Sequence, residues 1–211
     1  MDKFQGIELL KVLGLNTEES ILIRSNEDWN QHADFLRRLP RYSVRTYRSE
    51  GYGHADPHFP IISREELHEN HIKLLEEGLS LIVATPIDPA DAELAGCLLY
   101  DAGGILAEVA LGPGTVRRVT QENKIDLRIK WTHMSDSMID DHRIEAAMQK
   151  ARSAIRALQE LCPKMRVDWL VFEFSWYNQK VGQRKQELIF WELAGSREME
   201  AEIQGLLGGK L

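Results

Sequence analysis

The sequence predicts an α+β fold in two lobes, with a mostly antiparallel sheet in the C-terminal lobe. Three observations carry that expectation. Residues 1–85 alternate between helical and strand periodicity. Two apolar runs then flank Asp101-Ala102-Gly103-Gly104, the pattern of an antiparallel meander. Finally, Arg166 to Gly195 reads as strand, polar loop and strand. The lobes divide after Thr85, giving segments 1–85 and 86–211, with Pro86 to Asp91 as the linker.

Within the first lobe, Phe4, Ile7, Leu10 and Leu13 recur at helical spacing, and Gly14 supplies a stop. Ser20 to Arg24 forms a short strand. Ser25 opens an acidic helix start, and the helix after it turns Trp29, Ala33, Leu36 and Leu39 inward before Pro40 closes it. Tyr42, Val44 and Thr46 alternate with Ser43, Arg45 and Tyr47, so Arg45 lies on the face opposite Val44. Arg48 to Pro60 holds Ser49, Gly51, Gly53, Pro57 and Pro60 and is expected to be a loop, long enough to suggest function. Ser63-Arg64-Glu65-Glu66 is a capping box for a helix with Leu67, His71, Leu74 and Leu75 inward, where His71 is a packing or surface residue rather than a ligand. Gly78 ends it, and Leu79 to Thr85 is a buried strand.

In the second lobe, Leu94 to Tyr100 and Ile105 to Leu111 form the first hairpin. Gly112-Pro113-Gly114 breaks the chain before a further strand at Thr115 to Thr120, whose Arg117-Arg118 pair either meets phosphates or is a solvated strand end. Ile125, Leu127, Ile129 and Trp131 alternate with Asp126, Arg128 and Lys130, marking a half-exposed strand. His133 to Asp141 is irregular, and Asp136, Asp140, Asp141 and His142 place charge at a helix start. The longest helix buries Ile144, Met148, Ala151, Ile155, Leu158 and Cys162 and stops at Pro163. Trp169, Trp176 and Trp191 are expected in the core, and Ser196 caps a last short helix carrying Met199, Ile203 and Leu206.

Composition excludes several functions. The 211 residues are 43% apolar and 28% charged, ordinary for a globular chain, and the net charge of −7 leaves no basic stripe for nucleic acid. No apolar run approaches the roughly 20 residues a membrane span requires. The N-terminus has no secretory pattern, and Cys97 and Cys162 read as reduced, buried thiols, so a cytoplasmic location is expected.

The C-terminal hairpin holds the most informative pair. If it closes symmetrically about Gly182 and Gln183, Glu173 comes opposite or diagonal to Glu192. Opposed side chains have Cβ atoms roughly 4.5–5.5 Å apart, where like charges repel. Either both acids stand in water at a sheet edge, or a divalent cation or a proton is shared between them.

This order of elements resembles the ATP-grasp family and, more loosely, the nucleotide-binding domain of phosphoenolpyruvate synthases. Tyr42-Ser43-Val44-Arg45-Thr46 followed by Ser49, Gly51 and Gly53 occupies the place of the family's basic strand residue and phosphate loop. Ile82 to Ile87 matches its adenine-reading linker, Glu93 the glutamate opening the next strand, and Glu173 and Glu192 its metal carboxylates. The resemblance implies Mg-ATP held between the lobes: Arg45 on phosphate, Gly51 and Gly53 over the phosphates, Val83, Thr85 and Glu93 at the nucleotide, and Glu173 and Glu192 on magnesium. It also implies ligation or phosphoryl transfer to a small-molecule acceptor, by charge neutralisation and positioning. The family's Glu-x-Asn-x-Arg run is here Glu192-Leu193-Ala194-Gly195-Ser196-Arg197, the linker lacks a glutamate, and the loop lacks a lysine.

Two other readings stand beside this one. The first is a non-catalytic nucleotide-sensing or partner-binding module, which those departures favour. The second is a metal-dependent hydrolase built on His54-Ala55-Asp56-Pro57-His58. Self-association into a homo-oligomer is compatible with all three.

Overall fold

The computed structural model describes residues 3–48, 57–101, 104–112, 114–120, 122–132, 140–163, 167–177, 180–181, 184–185 and 188–196. In chain order the elements are α1 (Lys3–Val12), β1 (Ser20–Ile23), α2 (Asn26–Gln31), α3 (Ala33–Arg38), β2 (Arg41–Tyr47), β3 (His58–Ser63), α4 (Arg64–Glu76) and β4 (Ser80–Ala84). There follow β5 (Leu94–Asp101), β6 (Gly104–Leu111), α5 (Thr115–Thr120), β7 (Leu127–Trp131), α6 (His142–Leu161), β8 (Trp169–Trp176), β9 (Lys180–Val181), β10 (Arg184–Lys185) and β11 (Leu188–Gly195). The architecture is α+β with antiparallel sheets, as the sequence predicts. Among the described residues no helix is long and apolar enough to cross a membrane.

The chain forms two compact units, Glu18–Asp88 and a larger one made of Met1–Thr17 with Pro89–Leu211. These units differ from the expected segments 1–85 and 86–211 in two places: the division falls after Asp88, and the N-terminal helix goes with the C-terminal segment. The reason for the second is local. The N–H of Phe190 on β11 donates to the Asn16 carbonyl at 2.8 Å, and the Asn16 amide donates to the Leu188 carbonyl at 2.9 Å. Gly6 of α1 lies so close to β11 that a Cβ there would sit 3.0 Å from the Leu193 carbonyl oxygen. Residues 3–16 thus cover a sheet edge that would otherwise offer unpaired backbone groups.

In the smaller unit the sheet order is β1-β4-β2-β3, all antiparallel. Tyr42, Val44, Leu81, Val83 and Ile23 turn one face into a core with Leu36 of α3 and Leu67 and Leu74 of α4. The expected capping box is present: Ser63 Oγ accepts the Glu66 N–H at 3.1 Å, and Glu66 Oε2 accepts the Ser63 N–H at 3.1 Å. The helix expected after Ser25 is two short ones, α2 and α3, that meet at His32. His71 is buried and stacked on Trp29, ring centroids 3.7 Å apart, with Nδ1 2.7 Å from the His68 carbonyl. The loop expected through Pro60 ends sooner, because His58–Ser63 is a strand. It lies at the sheet edge, and its pairing with β2 slips between Tyr42 and Val44, which is where a proline is tolerated.

In the larger unit the five-stranded order is β11-β8-β5-β6-β7. Helix α6 lays Ile144, Ala147, Met148, Ala151, Ile155 and Leu158 on one face of this sheet, against Leu98, Ala107, Val109, Phe172, Phe174 and Phe190. Each large side chain buried there contributes roughly 1.5–3 kcal/mol. Asp141 caps α6 by accepting the Arg143 N–H at 2.9 Å, and the helix ends at Cys162, before Pro163. Thr115–Thr120, expected as a strand, is the short helix α5. Its Thr115 side chain is buried and donates to the Ala92 carbonyl at 3.3 Å, anchoring the turn beneath β5. Arg118 donates to the Leu111 carbonyl and to Asp126, and Arg117 pairs with Glu122, so these arginines tie their own turn together. Trp176 is core, but Trp191 is only half-buried and Trp169, at the outer end of β8, is 40% exposed. The expected helix after Ser196, together with His133 and Asp136, lies outside the described residues.

Candidate functional site

The two faces of the five-stranded sheet differ. One is the apolar face against α6; the second carries one polar row beside small and apolar residues such as Ala95, Ala110 and Ile189. Cross-strand pairing lines up Glu192, Glu173, Cys97, Glu108 and Arg128 in that row, across all five strands. Directly paired residues share a face, at Cβ separations of roughly 4.5–5.5 Å. Glu173 and Glu192 are therefore neighbours on one surface, as symmetric closure of the hairpin implies, and both are half-buried.

Their alignment depends on a bulge. From Leu188 to Phe190, β11 pairs regularly with Trp176 to Phe174. The next partner of β8, Glu173, meets Glu192 rather than Trp191, so Trp191 is the extra residue. An extra residue reverses the facing of everything beyond it. It lets Phe190 and Leu193 both reach the apolar core although three residues separate them, and it turns Glu192 to the second face beside Glu173. The bulge residue is tied down: Trp191 Nε1 donates to Ser175 Oγ at 2.9 Å, and the Tyr177 ring meets the indole edge-on at 6.4 Å.

Next in the row, the Cys97 thiol is held protonated. Burial first, then the carboxylates of Glu173, Glu108 and Glu192, push it up to about 12. At the far end Glu108 Oε1 lies 2.5 Å from Arg128 Nη2. Two opposed carboxylates supply hard oxygen donors of the kind magnesium takes, with water and phosphate oxygens filling its other positions. Among the described residues no group of three or more His, Cys, Asp or Glu side chains is arranged to hold a metal ion by itself. Two carboxylates leave most positions of such a cation to water or phosphate oxygens.

In the smaller unit Arg45 stands on β2 between Ile82 of β4 and His58 of β3. Its guanidinium is in contact with the carboxylate of Glu18, whose side chain is 1% exposed against 17% for Arg45. Val83 lies in the core at the centre of β4, flanked by paired strands on both sides. Thr85 follows the strand end, half-buried, and its N–H donates to the Glu19 carbonyl at 2.9 Å. Glu93, half-exposed at the start of β5, has its carboxylate 3.5 Å from Arg143 Nη1 and its N–H on the Trp176 carbonyl. Arg143 also binds Asp141 at 2.6 Å, which holds the Asp141 carboxyl below its usual range. Gly51, Gly53, His54 and Asp56 lie outside the described residues, while His58 is an exposed strand residue.

Two residues that matter here, Glu18 and Glu108, are not singled out by the sequence, and reading Cys97 as a buried thiol does not place it beside the acids. Glu18 follows a polar stretch with no periodicity to mark it as buried. Cys97 and Glu108 carried a readable signal: each is the odd polar residue in an apolar strand, on the face its alternation turns away from the helix.

No family model matches the chain, and no curated protein matches it in sequence. Solved structures do match in fold. An N5-carboxyaminoimidazole ribonucleotide synthetase, determined as an ADP complex, superimposes with a TM-score of 0.54 and 14% identity over 92% of this chain and 44% of its own. The D-alanine–D-alanine ligase of Helicobacter pylori gives 0.52 and 10% over 96% and 53%. The D-cycloserine synthetase DcsG gives 0.51 and 11% over 97% and 70%. The chain thus spans about half the length of the first two. Its fold is ATP-grasp-like.

Proposed function

We propose that this chain binds Mg-ATP and serves an ATP-dependent ligation or phosphoryl transfer. Glu173 and Glu192 would hold the metal, and Arg45 would contact phosphate. The observation that carries the proposal is the direct pairing of Glu173 with Glu192 on the sheet face opposite α6. Two like charges so placed repel each other, and the attraction of a divalent cation to both outweighs that repulsion. When bound, the metal would neutralise phosphate charge, which is most of what a protein contributes to phosphoryl transfer.

The other groups take supporting parts. Glu18 holds the Arg45 guanidinium in a fixed direction, and the planar fork of an arginine can serve a carboxylate and a phosphate at once. Thr85 and the residues after it, beyond the last ladder position of β4, would read the base, with Val83 fixing the strand beneath them. Gly51 and Gly53 would lie over the phosphates, and Glu93 would act at the nucleotide from the start of β5. The acceptor would be a small carboxylate-bearing molecule, consistent with a ligase whose first step makes an acyl phosphate.

A second reading, a nucleotide sensor without turnover, has two specific observations behind it. Arg45 already neutralises a nearly fully buried carboxylate, and Ala194 stands where the family has an asparagine. Calorimetric titration of ADP and ATP with and without magnesium tests binding. The proposal expects tighter binding with magnesium, and it fails if Glu173→Gln and Glu192→Gln leave the magnesium dependence intact. Phosphate release across a panel of carboxylic acids then separates an enzyme from a sensor.

A further inference from the structure

We propose that Trp191 and Ser175 are positioning residues that set the divalent-cation affinity of the Glu173–Glu192 pair. This rests on the assignment of those two glutamates to the metal. Neither Trp191 nor Ser175 would touch the cation; they act through the bulge.

Without the extra residue, Trp191 would stand opposite Glu173, and Glu192 would stand opposite Phe172, in the apolar layer against α6. The metal pair therefore exists only while the bulge stays at this position. The core positions of Phe190 and Leu193 confine the extra residue to the stretch between them, but leave its exact geometry to local contacts. Here the indole N–H holds it in place. The acceptor, Ser175, is 1% exposed and sits in the ladder between Ile189 of β11 and Ala95 of β5, so the tether ends on a strand paired on both sides. The Tyr177 side chain, also fully buried, meets the indole edge-on and restricts it from another direction. Carboxylates that share an ion must be held to a fraction of an ångström. Hydrogen bonds made directly to metal ligands change affinity about 10–100-fold, and a bond one step further out, such as this one, is expected at the lower end of that range.

Manganese serves as the probe, read by electron paramagnetic resonance in the presence of ADP. The variants are Trp191→Phe, which keeps a ring against Tyr177 and removes the N–H, Ser175→Ala, which removes the acceptor, the double variant, and Glu192→Gln as control. Trp191→Phe and Ser175→Ala should each weaken manganese binding about tenfold. The double variant should lose no more than either single one, since one bond is removed in all three. ADP affinity without metal should hold, which a general loss of structure would not allow. If Glu192→Gln is harmless, the metal assignment fails and this inference fails with it. If Glu192→Gln abolishes binding while both single variants stay within about twofold of wild type, or their losses add, the positioning role alone is overturned.

Discussion

Glu18 and Glu173 are both acids set into sheet-based units, and the two units treat them oppositely. In the smaller unit Glu18 is buried and meets the guanidinium of Arg45. In the larger unit the residue directly across from Glu173 on one side is a second acid, Glu192, and on the other a protonated thiol, Cys97. An ion pair closes on itself and belongs to stability, because breaking it strands a buried charge. An opposed pair of acids costs stability through like-charge repulsion, which a nearby positive charge relieves. The comparison sets an acid that meets a cation of its own unit against two acids that face each other across a ladder.

The largest effect follows from the closed pair. Glu18→Gln leaves the Arg45 guanidinium facing a neutral amide in a mostly buried place, and should cost about 3 kcal/mol of unfolding free energy in urea titrations. A change below about 1 kcal/mol would place Glu18 among ordinary surface charges and dissolve the contrast.

Glu173→Gln should behave the other way round. Relief of repulsion should raise the stability of the metal-free protein by about 0.5 kcal/mol, while the magnesium-dependent gain in nucleotide affinity falls at least about tenfold. Differential scanning calorimetry and titration calorimetry on one sample read both. A variant that is less stable and binds as before would make Glu173 a structural acid like Glu18.

How far these features could be read in advance depends on whether their cause is local. Ser63 with Glu66, the stepping of Ile144 to Leu158, and Gly78 at φ +78 all report chemistry within one turn, and the structure agrees with each. The opposition of Glu173 and Glu192 was legible only because two offsets cancel: Leu188 pairs with Trp176, one place out of the symmetric frame, and the bulge at Trp191 restores it. The β9–β10 ladder, Lys180 with Lys185, shares the frame that pairs Glu173 with Glu192. The bulge between was not anticipated, although Phe190 and Leu193, both apolar and three apart, already break strand alternation. Thr115–Thr120 misled because Thr and Val favour strands, whereas tertiary anchoring of Thr115 makes a helical turn. Pro60 hid a strand that tolerates it only by lying at an edge. Glu18 and Arg45 meet across 27 positions of chain, and no local pattern announces such a pair.

The smaller unit holds a second group whose burial depends on a partner. His71, stacked on Trp29, is pushed below its ordinary 6.5 by burial, against a partial opposite pull from its bond to the His68 carbonyl. The unfolded chain takes up a proton as pH falls through 6.5, while the folded chain does so only at lower pH. This contribution is therefore complete above 6.5 and lost progressively below it. His71→Phe, which keeps a ring against Trp29, should flatten the acid limb of the stability profile relative to wild type. An unchanged slope would show that the imidazole is as open to protons in the fold as outside it.

The smallest effect tests whether the carboxylate row is one surface. Cys97 is raised to about 12 by burial above all, and then by Glu173, Glu108 and Glu192. In a Cys162→Ala background, which removes the other free thiol, the pH dependence of iodoacetamide alkylation reports Cys97 alone. Glu173→Gln deletes the carboxylate directly across the ladder and should move the thiol down from about 12, though burial keeps it above its ordinary 9.0. Manganese with ADP should shift wild type in the same direction, because a divalent charge at the acid pair favours the thiolate. Should the thiol ignore both changes, Glu173 would not be turned toward it, and the row that sets this face apart would be broken at its centre.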